Sequence, residues 1–112
     1  MNIKRGEVAN RIFTVGDTYR AWKLSRFFDK PETCYKVVSK TTFRTFTGTF
    51  RGVPVTLVAT GMGVPMMDFV VREIRAVVEG PMAVMRLGTC GIMNEKCTAG
   101  DVVVASEGSI FV

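Results

Sequence analysis

Residues 86–91 carry the residue types best suited to hold an anion, because an apolar run ends there in an arginine and opens into a turn bracketed by glycines. A guanidinium at the end of a buried strand needs a carboxylate or an anionic ligand such as phosphate beside it, since an unpaired buried charge is costly. Gly88 and Gly91 let the backbone approach a ligand closely, and Thr89 adds a hydroxyl between them. The pattern fits an anion site, and it also fits a tight turn with an ion-paired Arg86.

A second glycine turn lies near the start of the chain. Residues 11–15 predict a short strand, Gly16 and Asp17 end it, and a helix is predicted from residue 18 to about residue 28. Arg20 falls in the first turn of this helix, where free backbone N–H groups and the positive end of the dipole disfavour a cation. A bound anion would explain this placement, and so would a solvated surface arginine.

The remaining elements alternate between strands and helices. Further strands are predicted at residues 34–39, 43–50, 53–60, 82–87 and 101–105, with a hairpin at Arg51 and Gly52. A glycine turn at residues 60–65 leads into a helix that starts at Pro65 and stops at Gly80. One apolar stripe runs along this helix, formed by Met66, Val70, Ile74, Val77 and Val78.

This order predicts a single α/β domain over residues 1–112. The run 53–60 is apolar enough to be buried on both faces, and the run 82–87 is also predicted to be a buried strand. The helix between them makes a right-handed βαβ unit. Residues 1–9 are polar without periodicity and are predicted to form a loose arm.

Composition excludes several classes of function. Apolar residues make up 47% and charged residues 22%, which is ordinary for a globular chain, and the net charge of +5 is scattered, so we expect no nucleic-acid partner. The absence of histidine excludes a histidine-based triad or zinc site, and we expect no metal. The odd count of three cysteines and the lack of a long apolar run predict a cytoplasmic protein without a membrane partner.

The last residues, 108–112, are apolar and lack a cap or a charge. An exposed apolar strand edge is unfavourable in water. We therefore expect the chain to be the first part of a larger protein, or to pair with another subunit that covers this edge.

Four motifs occur in order along the chain: Val15-Gly16-Asp17 with Arg20, residues 48–55, residues 60–63, and residues 86–91 followed by residues 100–103. Together they resemble the N-terminal half of the nucleoside phosphorylase family, which includes uridine phosphorylase and the hexameric purine nucleoside phosphorylases. The resemblance runs from about residue 12 to the last residue. It implies a three-layer α/β/α fold with a mixed central sheet, present here as an incomplete N-terminal part.

The resemblance also implies an activity. Members of the family are pentosyltransferases that convert a nucleoside and phosphate into a free base and (deoxy)ribose 1-phosphate, with phosphate as co-substrate and no other cofactor. Uridine is the favoured substrate, which would place the protein in pyrimidine salvage, and a purine nucleoside is the alternative. A homo-oligomer is expected from the family. Related nucleosidases use water and lack the Gly-Asp-x-x-Arg turn, so the presence of Arg20 argues against them.

The family's phosphate-binding motifs carry over residue by residue. The Gly-Asp-x-x-Arg turn assigns phosphate binding to the backbone of Gly16 and the guanidinium of Arg20. The Arg-x-Gly-Thr-x-Gly turn assigns phosphate and ribose binding to Arg86 and Thr89. The two arginines would be the catalytic pair, because two planar forks suit a tetrahedral dianion.

The nucleoside side of the site would be lined by Thr89, Cys90 and Gly91. Some relatives lend a third arginine from the neighbouring subunit, and here Lys40 or Thr41 holds its place with Arg44 nearby, so Lys40 or Arg44 is the expected contributor. The family's base-recognising residues and the carboxylate that holds the ribose hydroxyls lie in its C-terminal half, outside these motifs. A non-catalytic chain that acts as a dimerisation or regulatory partner of a whole phosphorylase is therefore a second hypothesis.

Overall fold

A computed structural model describes residues 1–40 and 43–108 of the chain. The expected placement of Thr41 and of the apolar residues 109–112 lies outside the described residues. The elements, in chain order, are β1 (Arg11–Val15), α1 (Thr18–Ser25), a 3₁₀ turn (Pro31–Thr33), β2 (Tyr35–Val38), β3 (Arg44–Phe50), β4 (Val53–Ala59), α2 (Val64–Val77) and β5 (Ala83–Arg86).

The five described strands form one mixed sheet in the order β2-β3-β4-β1-β5. β1 lies between β4 and β5 and is parallel to both, whereas β2, β3 and β4 are joined by antiparallel pairing. The connection from β4 through α2 to β5 therefore passes over β1. Because the central strands are parallel, the carboxyl ends of β4, β1 and β5 lie at the same edge of the sheet.

One helix packs on each face of the sheet, as the α/β/α expectation requires. Alternate residues of a strand point to opposite faces, and the two buried clusters divide accordingly. On one face Ile12 and Val58 pack with Val70 and Ile74 of α2. On the other face Val15 and Leu57 belong to the cluster that contains Ala21 of α1. The predicted three-layer arrangement and the buried stripe of α2 are confirmed.

Two sequence predictions near the N-terminus are wrong. The helix ends at Ser25 rather than near residue 28, because Phe27 and Phe28 donate their N–H groups to carbonyls three residues back and so tighten the chain into a turn. Residues 1–9 are not a loose arm, since Met1 is buried against α2 with Ile3 packed beside it. Their contacts come from a helix 70 residues away along the chain, which a local pattern cannot predict.

Three predictions of burial or strand structure are also wrong. Every residue of β5 is exposed, and β5 is an edge strand of the described sheet. β4 is buried only in its second half, from Thr56 onward. Residues 101–105 form no strand and Val102 to Val104 are strongly exposed, since they pair with no strand in the part of the chain that the structure describes.

Gly48 of β3 is required by packing rather than by backbone conformation. A Cβ atom at this position would lie 2.6 Å from Cδ2 of Phe28, a side chain that is only 6% exposed. We expect Gly48→Ala to lower the free energy of unfolding by about 1–3 kcal/mol, because the ring must move within a packed core. Urea unfolding measures the loss, and Gly88→Ala is the control because no described atom lies within 4 Å of its added Cβ. Equal stability of the two variants would contradict this packing.

Candidate anion-binding site

The candidate site lies at the sheet edge where β4, β1 and β5 end. Gly16 follows β1 and Arg86 is the last residue of β5, and Thr14 of β1 pairs with Arg86 in the parallel register. Thr60 follows β4 at the same edge, because Val15 pairs with Ala59. In open α/β sheets, ligands bind beyond the carboxyl ends of the strands. The topology thus brings together two motifs that are some 70 residues apart along the chain.

Arg86 is held by a hydroxyl rather than by a carboxylate. Its Nη1 donates to Oγ1 of Thr60 at 3.2 Å. Arg86 as a whole residue is exposed, and no ion pair joins its guanidinium to an acidic residue within residues 1–40 and 43–108. The sequence fitted either an anion site or a tight turn with an ion-paired Arg86, and the described residues show no such ion pair. The positive charge at this strand end has no described counterion.

Arg20, in contrast, has an acidic partner. Asp17 is the N-cap of α1, and its carboxylate accepts from the backbone N–H of Arg20 at 2.7 Å and from Nε of Arg20 at 2.6 Å. These two hydrogen bonds hold the pKa of the Asp17 carboxyl below its usual value. Because Nε faces Asp17, the terminal nitrogens of the fork are left for other acceptors. Nη2 lies 3.8 Å from where a Cβ of Gly16 would be, so the fork sits beside the Gly16 backbone.

The turn after β4 contributes backbone donors to the same edge. Gly61 and Gly63 have φ values of 77° and 97°, in the left-handed region that glycine adopts without strain. Gly63 is the N-cap of α2 and provides no side-chain cap, and the first turn of α2 carries no acidic residue. The first N–H groups of α2 and the positive end of its dipole are therefore not satisfied by an acidic cap.

The turn after Arg86 is exposed to solvent. Thr89, Cys90 and Gly91 are exposed, and no hydrogen bond or ion pair joins them to other residues of the described ranges. A Cβ on Gly88 or Gly91 would meet no described atom within 4 Å. The structure therefore places the predicted ribose-side residues directly after Arg86, and no described hydrogen bond or ion pair joins them to Gly16 or Arg20.

The candidate contributors from a neighbouring subunit lie at the same sheet edge but on distant strands. Lys40 follows β2 and is exposed, and Arg44 begins β3. Two strands, β4 and β1, separate β3 from β5, so the backbones at Arg44 and Arg86 are about 14 Å apart at the usual spacing of about 4.8 Å per strand. Arg44 donates through Nη1 to the carbonyls of Phe43 and Ser39, which closes the β2–β3 connection.

A cleft of about 270 Å³ lies beside α1, and its lining is not suited to an anion. It is lined only by apolar side chains: Phe13, Leu24, Phe27, Phe28, Phe50, Val55, Leu57 and Leu87. Desolvating a charge there would be costly, since these side chains offer no hydrogen bond. The polar edge above β1 and β5 is therefore the candidate anion site.

The described residues show neither a metal-binding cluster nor a membrane-spanning helix. No group of three or more cysteine, aspartate or glutamate side chains is arranged to hold a metal ion. No described helix has the length and apolar character needed to cross a membrane.

The fold and this edge define the class of protein. Residues 10–109 match the model of the phosphorylase superfamily, and the chain belongs to that superfamily. The DeoD-type purine nucleoside phosphorylase of Geobacillus sp. (strain WCH70) is 35% identical to it over 106 residues, which are 95% of this chain and 44% of that protein.

Solved structures give a second set of relatives. A uridine phosphorylase of the oomycete Phytophthora capsici superposes with a TM-score of 0.82 at 50% identity, covering 86% of this chain and 32% of that one. A Trypanosoma brucei nucleoside phosphorylase with uridine phosphorylase activity gives a TM-score of 0.66 at 34% identity, covering 76% and 34% of the two chains. The chain thus spans less than half the length of the relatives it matches.

Sequence reasoning found the two arginines but missed the groups that orient them. Asp17 was predicted only to end β1, yet it caps α1 and binds the Arg20 side chain. Thr60 was predicted as the last residue of the buried strand 53–60 and the first of a glycine turn, and its hydrogen bond to Arg86 was not predicted. An Asp three residues before an Arg at a helix start is a recognisable signal for the first pair. The second pair spans 26 residues and had no local signal.

Proposed function

We propose that this chain forms the phosphate-binding part of a nucleoside phosphorylase whose substrate is uridine. The reaction is the reversible conversion of uridine and phosphate into uracil and ribose 1-phosphate. The observation that carries the proposal is the convergence of Gly16, Arg20 and Arg86 at one sheet edge in a chain of this superfamily. Arg20 and Arg86 would bind the phosphate, Thr89 would bind phosphate and ribose, and Cys90 and Gly91 would line the nucleoside.

The chemistry suits this edge. Phosphorolysis forms a bond from a phosphate oxygen to the ribose C1′ while the C1′–N bond to the base breaks, and the base leaves with the bonding electrons. The sugar becomes cationic as that bond breaks, so a phosphate dianion held beneath it both stabilises the charge and supplies the nucleophile. Guanidinium forks are suited to fix such a dianion, because they donate two parallel hydrogen bonds.

The choice of uridine over a purine nucleoside is supported by the relatives. The structural relatives at 50% and 34% identity are a uridine phosphorylase and a nucleoside phosphorylase with uridine phosphorylase activity. The curated relative at 35% identity is a purine nucleoside phosphorylase, so a purine nucleoside is the second candidate. Base selection is assigned to residues outside this chain, and a third cation, Lys40 or Arg44, to a neighbouring subunit of a homo-oligomer. No cofactor beyond phosphate is proposed.

The test uses the protein at its natural length with uridine or inosine, each with and without inorganic phosphate. We expect uracil release, followed by chromatography, to require phosphate and to be accompanied by an equal amount of ribose 1-phosphate. Release of uracil at the same rate without phosphate would overturn the proposal in favour of hydrolysis. Faster turnover of inosine would transfer the assignment to purine nucleosides. No turnover of either, with a stimulating effect on a whole phosphorylase, would establish the non-catalytic partner.

A further inference from the structure

Thr60 connects the three strand ends that form the candidate site. It directly follows β4 and is completely buried. Its backbone N–H donates to the carbonyl of Val15 at 2.9 Å. Its Oγ1 lies 3.2 Å from the Val15 carbonyl oxygen, 2.9 Å from that of Gly61, and 3.2 Å from Nη1 of Arg86. One hydroxyl thus contacts the end of β1, the glycine turn after β4 and the arginine that ends β5.

The hydrogen-bonding capacity of this hydroxyl fixes the direction of the contacts. A threonine hydroxyl has one proton and two lone pairs. The carbonyls of Val15 and Gly61 can only accept, so the proton points to one of them. Nη1 of Arg86 can only donate, so it must use a lone pair of Oγ1. Because β-branching restricts χ1 of Thr60 and the backbone takes the proton, the lone pair offered to Arg86 has a defined direction.

We propose that Thr60 is a positioning residue that holds the Arg86 guanidinium in place for the anion; this inference rests on the proposed phosphate site. Arg86 is exposed and has no described acidic partner, so its long side chain would otherwise sample many rotamers. The hydrogen bond from Nη1 to Thr60 removes part of that freedom before the anion binds. Thr60 also links Arg86 to the Val15 carbonyl, directly before Gly16. The ends of β1 and β5 are therefore held by hydrogen bonds to the same residue.

Thr56 provides a matched control on the same strand. It is also completely buried, and its Oγ1 accepts from the backbone N–H of Ala9 and bonds to Oγ1 of Thr47 at 2.9 Å. It is the central residue of β4 and lies four positions before Thr60 along the chain. Loss of either hydroxyl removes buried hydrogen bonds and lowers stability by a similar mechanism. Only loss of the Thr60 hydroxyl releases Arg86.

The experiment measures inorganic phosphate binding by calorimetry and steady-state kinetics in the natural-length protein. We expect Thr60→Val to weaken phosphate binding about tenfold and to raise KM for phosphate more than it lowers kcat. Thr60→Ser keeps the hydroxyl and should restore most of the affinity, and Thr56→Val should bind phosphate like the wild type. Thr60→Ala serves as a second variant without the hydroxyl if Thr60→Val does not fold.

A double-mutant cycle with Arg86→Ala separates positioning from general damage. In the Arg86→Ala background, Thr60→Val should cause no further loss of phosphate affinity. An unchanged affinity in Thr60→Val and Thr60→Ala, or an equal loss in both backgrounds, would overturn the role of Thr60 while leaving the phosphate site intact. If the wild-type protein does not bind phosphate at all, the proposed function fails instead, so the two failures are distinguishable.

Discussion

Arg86→Ala is expected to lower kcat/KM for phosphate by about 100- to 1000-fold, the loss found when one preorganised donor to a reacting anion is removed. The effect should be large because Arg86 carries a charge with no described acidic partner and is oriented by a buried hydroxyl. Its positive charge is not neutralised by an acidic residue of the described chain, so the whole charge would be available to a bound phosphate. Initial rates at varied phosphate concentration, with nucleoside saturating, measure the loss.

Two further arginine variants make this result specific. Arg86→Lys keeps the charge but lacks the planar fork, so we expect it to recover only a small part of the lost rate. Arg11→Ala is the matched control, because Arg11 is the exposed first residue of β1 and lies at the opposite end of the strand from Gly16. If Arg11→Ala and Arg86→Ala lost equal activity, net charge rather than the site would account for the effect.

The local sequence pattern was sufficient to predict those elements whose structure is determined by neighbouring residues along the chain. The stripe of α2 repeats at helical spacing, and Val70 and Ile74 are fully buried as predicted. The hairpin at Arg51 and Gly52 is also confirmed, with φ values of 49° and 77° that match a tight turn. These features follow from residue type and spacing alone.

The sequence pattern did not predict contacts or burial that depend on residues far apart along the chain. Asp29, which lies between α1 and the 3₁₀ turn, accepts from the backbone N–H groups of Arg51 and Gly52 at 2.9 Å each, and these bonds lower the pKa of its carboxyl. Residues 102–104 are as apolar as β1, yet they are exposed because no described strand pairs with them. Apolar composition indicates a tendency to be buried, whereas burial requires a partner surface that a one-dimensional pattern does not contain.

The same distinction applies to the candidate site. The types and spacing of these residues indicated an anion, since Gly16 begins a turn after a predicted strand, Arg20 follows in the first turn of a helix, and Arg86 precedes a second glycine turn. The hydrogen-bond partner of Arg86 could not be predicted from the sequence. Thr60 lies next to Arg86 only because of the order of the strands in the sheet. Sheet order is a tertiary property, and it places the turn after β1 and the turn after β5 at one edge of the sheet.

Arg20→Ala is expected to weaken phosphate binding about 10- to 100-fold, which corresponds to the about 1.5–3 kcal/mol of a hydrogen bond to a charged group. The loss should be smaller than for Arg86→Ala, because the Asp17 carboxylate 2.6 Å from Nε offsets part of the positive charge of Arg20. The lowered pKa of Asp17 keeps that carboxylate ionised at neutral pH, so the offset persists under assay conditions. Calorimetric titration with inorganic phosphate measures the change.

Arg72→Ala is a close control for Arg20→Ala. Arg72 also lies on a helix and also pairs through Nε with an aspartate, Asp68 at 3.0 Å, but it projects from α2 in a strongly exposed position. Removing either arginine breaks one exposed helical ion pair, and such pairs contribute little to stability. A phosphate affinity that falls in Arg20→Ala and stays unchanged in Arg72→Ala would therefore report the position of Arg20 beside Gly16. An equal affinity in both variants would exclude Arg20 from the site and leave Arg86 as its cation.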